Sequence, residues 1–189
     1  MKKLSLAIVA IIALSSFAFQ TLWTQDKAHS ELLFSVKHLG VSTVSGYFKD
    51  FDAKITSNKA DFSDASFELT AKVNSINTRI DMRDNHLKSA DFFDAEKFPN
   101  LTFKSTSVKK GKKKTLLVTG DLTFHGVTKP VTLTVKHNGN VTNQQSGKET
   151  AGFDVEGSIK RSDFNLGPKF GESMISDVVT IKASGEFTK

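Results

Sequence analysis

Five histidines, His29, His38, His86, His125 and His137, are the residues of this chain best suited to holding a metal or moving a proton. Their spacing argues against both. No two stand at a helical i, i+4 interval, no His-x-His pair occurs and there is no cysteine, so the ligand clustering of a structural zinc site is missing. No Gly-x-Ser-x-Gly elbow presents a serine nucleophile. The carboxylate pairs Asp91 with Asp94 and Asp50 with Asp52 read as caps and solvent-facing strand positions. No metal, cofactor or catalytic residue is expected, and the protein is not expected to be an enzyme.

What must be positioned, then, is apolar. The chain has 16 Phe against one Tyr and one Trp among 189 residues. Phenylalanine carries no polar handle, so it suits sites that are dry throughout, whether a thick core or a lipid-lined cavity. The first residues, Met1-Lys2-Lys3 followed by an apolar run from Leu4 to Leu14 and small residues at Ser16 and Ala18, have the layout of a secretory leader. The run is short of the roughly 20 residues of a membrane span. We expect a signal peptide at 1–18, one domain over 19–189 and a periplasmic or secreted location. The net charge of +6 concentrates in Lys109-Lys110-Gly111-Lys112-Lys113-Lys114, which reads as a solvated hairpin tip. Anionic lipid at a membrane surface is the functional partner such a tip could meet, and no nucleic-acid motif accompanies it.

Period-two alternation runs through most of the chain. Leu32, Phe34 and Val36 share one face. Tyr47, Phe51, Ala53 and Ile55 share another, with Phe48 breaking step as a bulge or turn would. Phe67, Leu69, Ala71 and Val73 alternate strictly with Glu68, Thr70, Lys72 and Asn74. Further faces are Leu101 with Phe103; Leu116, Val118, Leu122 and Phe124; Val131, Leu133 and Val135; Ala151, Phe153, Val155 and Ile159; and Val179, Ile181, Ala183 and Phe187. Asn138-Gly139 is a tight-turn signal. Roughly eight strands of this kind specify an antiparallel sandwich or closed barrel. The interruption is 81–97, where Thr78 or Asp81 could cap a short helix over Met82–Ser89. A second turn at Ala90–Lys97 would aim Phe92, Phe93 and Phe98 at the barrel before Pro99 stops it.

Several long segments resemble one family. Trp23, Asp26, His29-Ser30, Phe34, Val36 and His38-Leu39-Gly40 are similar to the opening of the YceI-like polyisoprenoid-binding proteins. Arg83-Asp84-Asn85-His86-Leu87-Lys88-Ser89 with Asp91-Phe92-Phe93 and Phe98-Pro99 resembles its central signature. Gly120–Val131 resembles its second signature, and Arg161-Ser162-Asp163-Phe164 with Ile175-Ser176-Asp177 resembles its ending. Asn165 stands where the family has Gly; Asn tolerates a left-handed backbone, so the turn should survive.

The resemblance implies an all-β, eight-stranded antiparallel lipocalin-like barrel with a short helical insertion around 81–97. Its channel would hold a long-chain isoprenoid, quinone-like or fatty amphiphile, and the protein would carry or sequester that lipid. The channel lining expected is Phe34, Val36, Phe51, Phe67, Leu69, Val73, Phe92, Phe93, Phe103, Leu122, Phe124, Leu133, Val135, Phe153, Val155 and Ile181. Arg83, His86, Lys88 and Arg161 are head-group candidates, although each could instead make capping or loop-pinning hydrogen bonds. The rival readings are a solid-core β-protein in stress response or adhesion, and an enzyme acting on a lipid in the same cavity.

Overall fold

A computed structural model describes residues 20–189, so the expected leader at 1–18 lies outside the described residues. Ten strands are distinguished: β1 (Leu22–His38), β2 (Ser42–Phe48), β3 (Phe51–Thr56), β4 (Ser66–Lys72), β5 (Ile76–Asn77), β6 (Asn100–Lys110), β7 (Thr115–Phe124), β8 (Val127–Thr142), β9 (Glu149–Lys160) and β10 (Val178–Thr188). One α-helix, α1 (Asp81–Lys88), interrupts them. They make eight staves, because β2 and β3 are successive parts of one broken strand along the same edge of β1. Pairing runs from Leu33↔Tyr47 to His38↔Ser42 in one part and from Leu22↔Thr56 to Thr24↔Lys54 in the other. β4 and β5 are likewise one strand, broken by a 3-10 turn at Val73–Ser75. The rest is a meander in the order β4–β6–β7–β8–β9–β10, and β10 closes on β1 from Thr24↔Thr188 to Ser35↔Thr180. The result is a closed, eight-stranded antiparallel barrel with a short helical insertion. Closure pairs the outer edge of β10 with β1, an edge that would otherwise be free to recruit another chain.

The break in the second stave falls at Lys49–Asp50, and it corrects the expected face. Gly46 and Phe48 point inward on β2 and Phe51, Ala53 and Ile55 on β3, while Tyr47 lies on the outer side. Asn138-Gly139 is not a hairpin turn. It is a bulge inside β8, where the register against β9 shifts between His137 and Gly139 and Gly139 adopts φ 135°. The chain reverses later, through residues 143–148.

The helix is present, with a different cap from the one expected. Ile80 is the N-cap and offers no side-chain bond. Thr78 instead donates to the buried Asp84 through its backbone N–H (2.7 Å) and its hydroxyl, tying the entering strand to the first turn. No second helical turn follows. Phe93 N–H donates to Leu87 O and Ala95 N–H to Lys88 O, folding 89–97 back over α1 as consecutive turns.

Because neighbouring strands alternate in direction, the connections sort to two ends. The α1 end carries residues 39–41, the 78–99 insertion, the His125-Gly126 turn and the 161–177 loop; the other end carries 57–65, the lysine tip at 111–114 and 143–148. At that second end Phe62 is fully buried, its ring 5.1 Å from Trp23 and 4.8 Å from Phe153.

Candidate functional site: an apolar cavity in the barrel

A cavity of ≈ 180 Å³ lies inside the barrel. Its wall follows from alternation. Phe67 and Leu69 project inward from β4, Leu133 and Val135 from β8, Phe153 and Val155 from β9, and Ile181 and Ala183 from β10. Charged residues at its border, Glu31, Lys54 and Glu68, occupy outward strand positions. Glu68 there bridges Lys54 (2.7 Å) and Lys104 (3.2 Å) across three strands. Hydrogen bonds from those two ammonium groups hold the Glu68 carboxyl below its usual pKa. The interior receives none of this charge.

The decisive property of the wall is its incomplete burial. Phe34, Phe67, Leu69, Leu133, Val155 and Ile181 face inward yet are only half-buried, whereas Val118 and Phe164 are fully buried. A solid core packed to crystal-like density would bury them all.

Of the expected lining, Phe34, Phe51, Phe67, Leu69, Phe93, Phe103, Leu122, Phe124, Leu133, Val135, Phe153, Val155 and Ile181 border the cavity. Three do not. Val36 lies near the end of β1, half-buried and past the cavity; Val73 is fully buried in the 3-10 turn where alternation stops. Phe92 packs away from the channel, stacked on Phe170 at 4.7 Å and 15°. Phe98 packs on His125 (4.8 Å) outside the cavity. Only Phe93 of that trio meets it, with its ring 5.0 Å from Phe124. Phe48 was missed as a wall residue because the break at Lys49–Asp50 hid it; Ile55 and Val118, members of the alternating faces, also border the cavity.

The polar candidates separate. Arg161 is buried, with 8% of its surface exposed, and all five of its guanidinium N–H groups are taken by backbone carbonyls. Nε donates to Ser176 O, Nη1 to Leu166 O and Gly167 O, and Nη2 to Phe170 O and Ile175 O. It does not border the cavity. Arg161 is therefore a loop pin, with no N–H group left for the head group expected from sequence. Arg83 donates from Nε and Nη2 to Thr78, which leaves three N–H groups uncommitted among the described residues. His86 is exposed, 3.7 Å from Asp91 and edge-on to Phe92; Lys88, two residues further along α1, is half-buried. A hydrogen bond from Lys169 (2.7 Å) chiefly, with His86 adding a little, keeps the Asp91 carboxyl below its usual range. None of the three lines the cavity.

One further group escaped the histidine count, because it pairs His with carboxylates. A three-residue bulge in β1, where Asp26↔Glu186 is followed by Ser30↔Gly185, brings Asp26, His29 and Glu186 donor atoms within 4.8 Å of one another. His29 Nδ1 lies 2.8 Å from Asp26 Oδ2. That hydrogen bond raises the His29 pKa and lowers that of Asp26. Asp26 and Glu186 stand directly opposite, an arrangement that repels, and both carboxylates favour the protonated form of His29.

A model of the YceI-like domain matches residues 23–187. The chain belongs to the YceI-like family. A UPF0312 protein of Staphylococcus aureus (strain bovine RF122 / ET3-1) is 41% identical over 172 residues, 89% of this chain and 98% of the relative. Among solved structures, BcnA of Burkholderia cenocepacia superposes with a TM-score of 0.74 at 30% identity, covering 86% of this chain and 98% of that one. The YCEI protein of Campylobacter jejuni gives 0.73 at 31%, covering 100% and 99%. A polyisoprenoid binding domain from Saccharophagus degradans, at 18% identity and a TM-score of 0.62, shares the fold. As a YceI-like protein the chain is a lipocalin-like barrel.

Proposed function

We propose that this YceI-like barrel is an exported carrier or sequestering protein for a slender apolar lipid: a polyisoprenoid, a quinone-like molecule or another long-chain amphiphile. The observation that carries the reading is the row of inward-facing, half-buried apolar side chains around a ≈ 180 Å³ cavity, where a solid-core protein would be filled. The S. degradans domain, described as polyisoprenoid binding, supports the same class of ligand. Each CH₂ buried contributes about 0.8 kcal/mol, so a tail supplies the affinity and a head group the orientation.

The volume also sets a condition. An engineered cavity of about 150 Å³ holds one benzene, so ≈ 180 Å³ takes only a short length of chain. A long tail requires wall side chains such as Phe34 and Phe67 to turn aside, and both are only half-buried. Arg83, His86 and Lys88 at the α1 end are the proposed contacts for a head group that emerges there.

Organic extraction of the protein purified from its native host, followed by mass spectrometry, tests the reading. A stoichiometric prenyl or acyl species supports it and names the cargo. A clean extract from folded protein, together with failure to take up any prenyl or acyl lipid on reconstitution, overturns it.

A further inference from the structure

Six of the nine large apolar side chains exposed among the described residues gather at the α1 end: Leu39, Val41, Ile80, Met82, Met174 and Val178. Val41 is 85% exposed and Met82 80%, more than any other large apolar side chain described. They belong to three separate segments that the fold holds together. Leu39 N–H donates to Met174 O at 3.0 Å, joining the β1–β2 turn to the 161–177 loop. The pairing Tyr47↔Asn77 runs the chain leading to Ile80 and Met82 alongside β2. Leu39 and Gly40 both take positive φ, 51° and 68°, which makes this turn a narrow tip.

Three cations lie on the same segments: Lys37, Arg79 and Lys88. None has a carboxylate partner among the described residues, so their charge stands free at this end. Apolar tips bordered by unpaired cations are the pattern of a surface that enters the boundary between lipid head groups and acyl chains. Asp81 and Glu172 offset part of the charge, so the apolar tips carry the contact and salt has little leverage on it.

We propose that the α1 end docks on a lipid bilayer, with Val41 and Met82 inserted. This rests on the carrier reading and extends it, since an insoluble cargo is exchanged most directly at a membrane. It also moves the membrane contact expected from sequence away from the lysine tip at 111–114, which lies at the opposite end of the barrel.

Flotation of the host-exported protein with vesicles of phosphatidylcholine and phosphatidylglycerol tests the docking independently of any bound cargo. The expected result is co-flotation that survives 0.5 M salt (on the order of a 4 Å screening length). Combined Val41→Asp and Met82→Asp should lower the bound fraction about tenfold, whereas combined Lys112→Ser, Lys113→Ser and Lys114→Ser should leave it unchanged. Both aspartate sites are solvent-exposed, and an unchanged melting temperature confirms folding. As a second readout, Val41→Trp should shift its emission to the blue on adding vesicles. Three results overturn the proposal: no flotation and no blue shift; binding lost to salt and to the lysine variant; or a concentration-dependent dimer, split by the aspartate variant, with no vesicle binding. The last would assign this surface to a second copy of the chain. Failure of the extraction experiment alone would leave the docking result standing.

Discussion

Arg161 Nη1 donates to the carbonyl of Leu166 at 2.7 Å, the shortest of the bonds by which one buried guanidinium gathers a loop of its own chain. The other four carbonyls belong to residues up to Ser176, so the loop closing the α1 end is organised around a single side chain. Lysine has three donors on a point charge and cannot reproduce the planar fork. Arg161→Ala should destabilise the fold by about 2–4 kcal/mol and Arg161→Lys by somewhat less. Urea denaturation checks this. A variant of unchanged stability would remove the pin.

Gly167 lies in the same loop at φ 59°, and a Cβ there would overlap the ring of Phe92. Gly167→Ala combines a left-handed backbone penalty with displacement of the Phe92–Phe170 stack. A loss of about 1–3 kcal/mol is expected, and thermal denaturation would read it.

Filling the cavity separates binding from folding. Ala183 faces it from β10, and Ala183→Phe places a ring where a tail would run. Lipid recovered by extraction should fall several-fold, while the melting temperature changes little, because the ring occupies existing space. Leu69→Asp is the harsher companion, which puts a carboxylate into an apolar interior and should cost both lipid and fold.

The bulge cluster predicts a pH dependence. The hydrogen bond to Asp26, with the charges of Asp26 and Glu186, raises the pKa of His29 in the folded state. Its contribution is fully present below the unfolded value of about 6.5 and is lost as pH rises through the higher folded value. Stability should therefore slope slightly downward on the alkaline side of pH 6.5, and His29→Gln should remove that slope. An NMR titration in which His29 shows no upward displacement would refute the linkage.

How much of this was legible in the sequence depended on where the information lay. The β4 row of Phe67, Leu69 and Ala71 was readable because each residue's direction is set by its neighbours. Its fourth member, Val73, was not, since a 3-10 turn ends the alternation one residue earlier. Asn165 adopts φ 55°, ψ 32°, the left-handed turn that its residue type allows. Arg161 was misassigned for a different reason. A cation following a strand looks the same whether it faces a ligand or the carbonyls of a loop 5–15 residues downstream, and only the path of that loop decides. Thr78 misled in the same way, since its partner proved to be the side chain of Asp84 rather than a free helix N–H.

The second stave of the barrel has a seam. Between Thr24↔Lys54 and Leu33↔Tyr47 no backbone pair joins it to β1. Across that stretch Gln25 Oε1 accepts from Ala53 N–H at 2.8 Å, and Lys27 meets Asp52 at 2.7 Å. Cavity residues border it on both sides, Leu32 and Phe34 on one and Phe48 and Phe51 on the other. A barrel of uninterrupted ladders can swell only by breaking many hydrogen bonds together. Across this gap one amide contact and one solvent-exposed ion pair stand in for the ladder, so the wall is held there by fewer backbone bonds than along either flanking ladder.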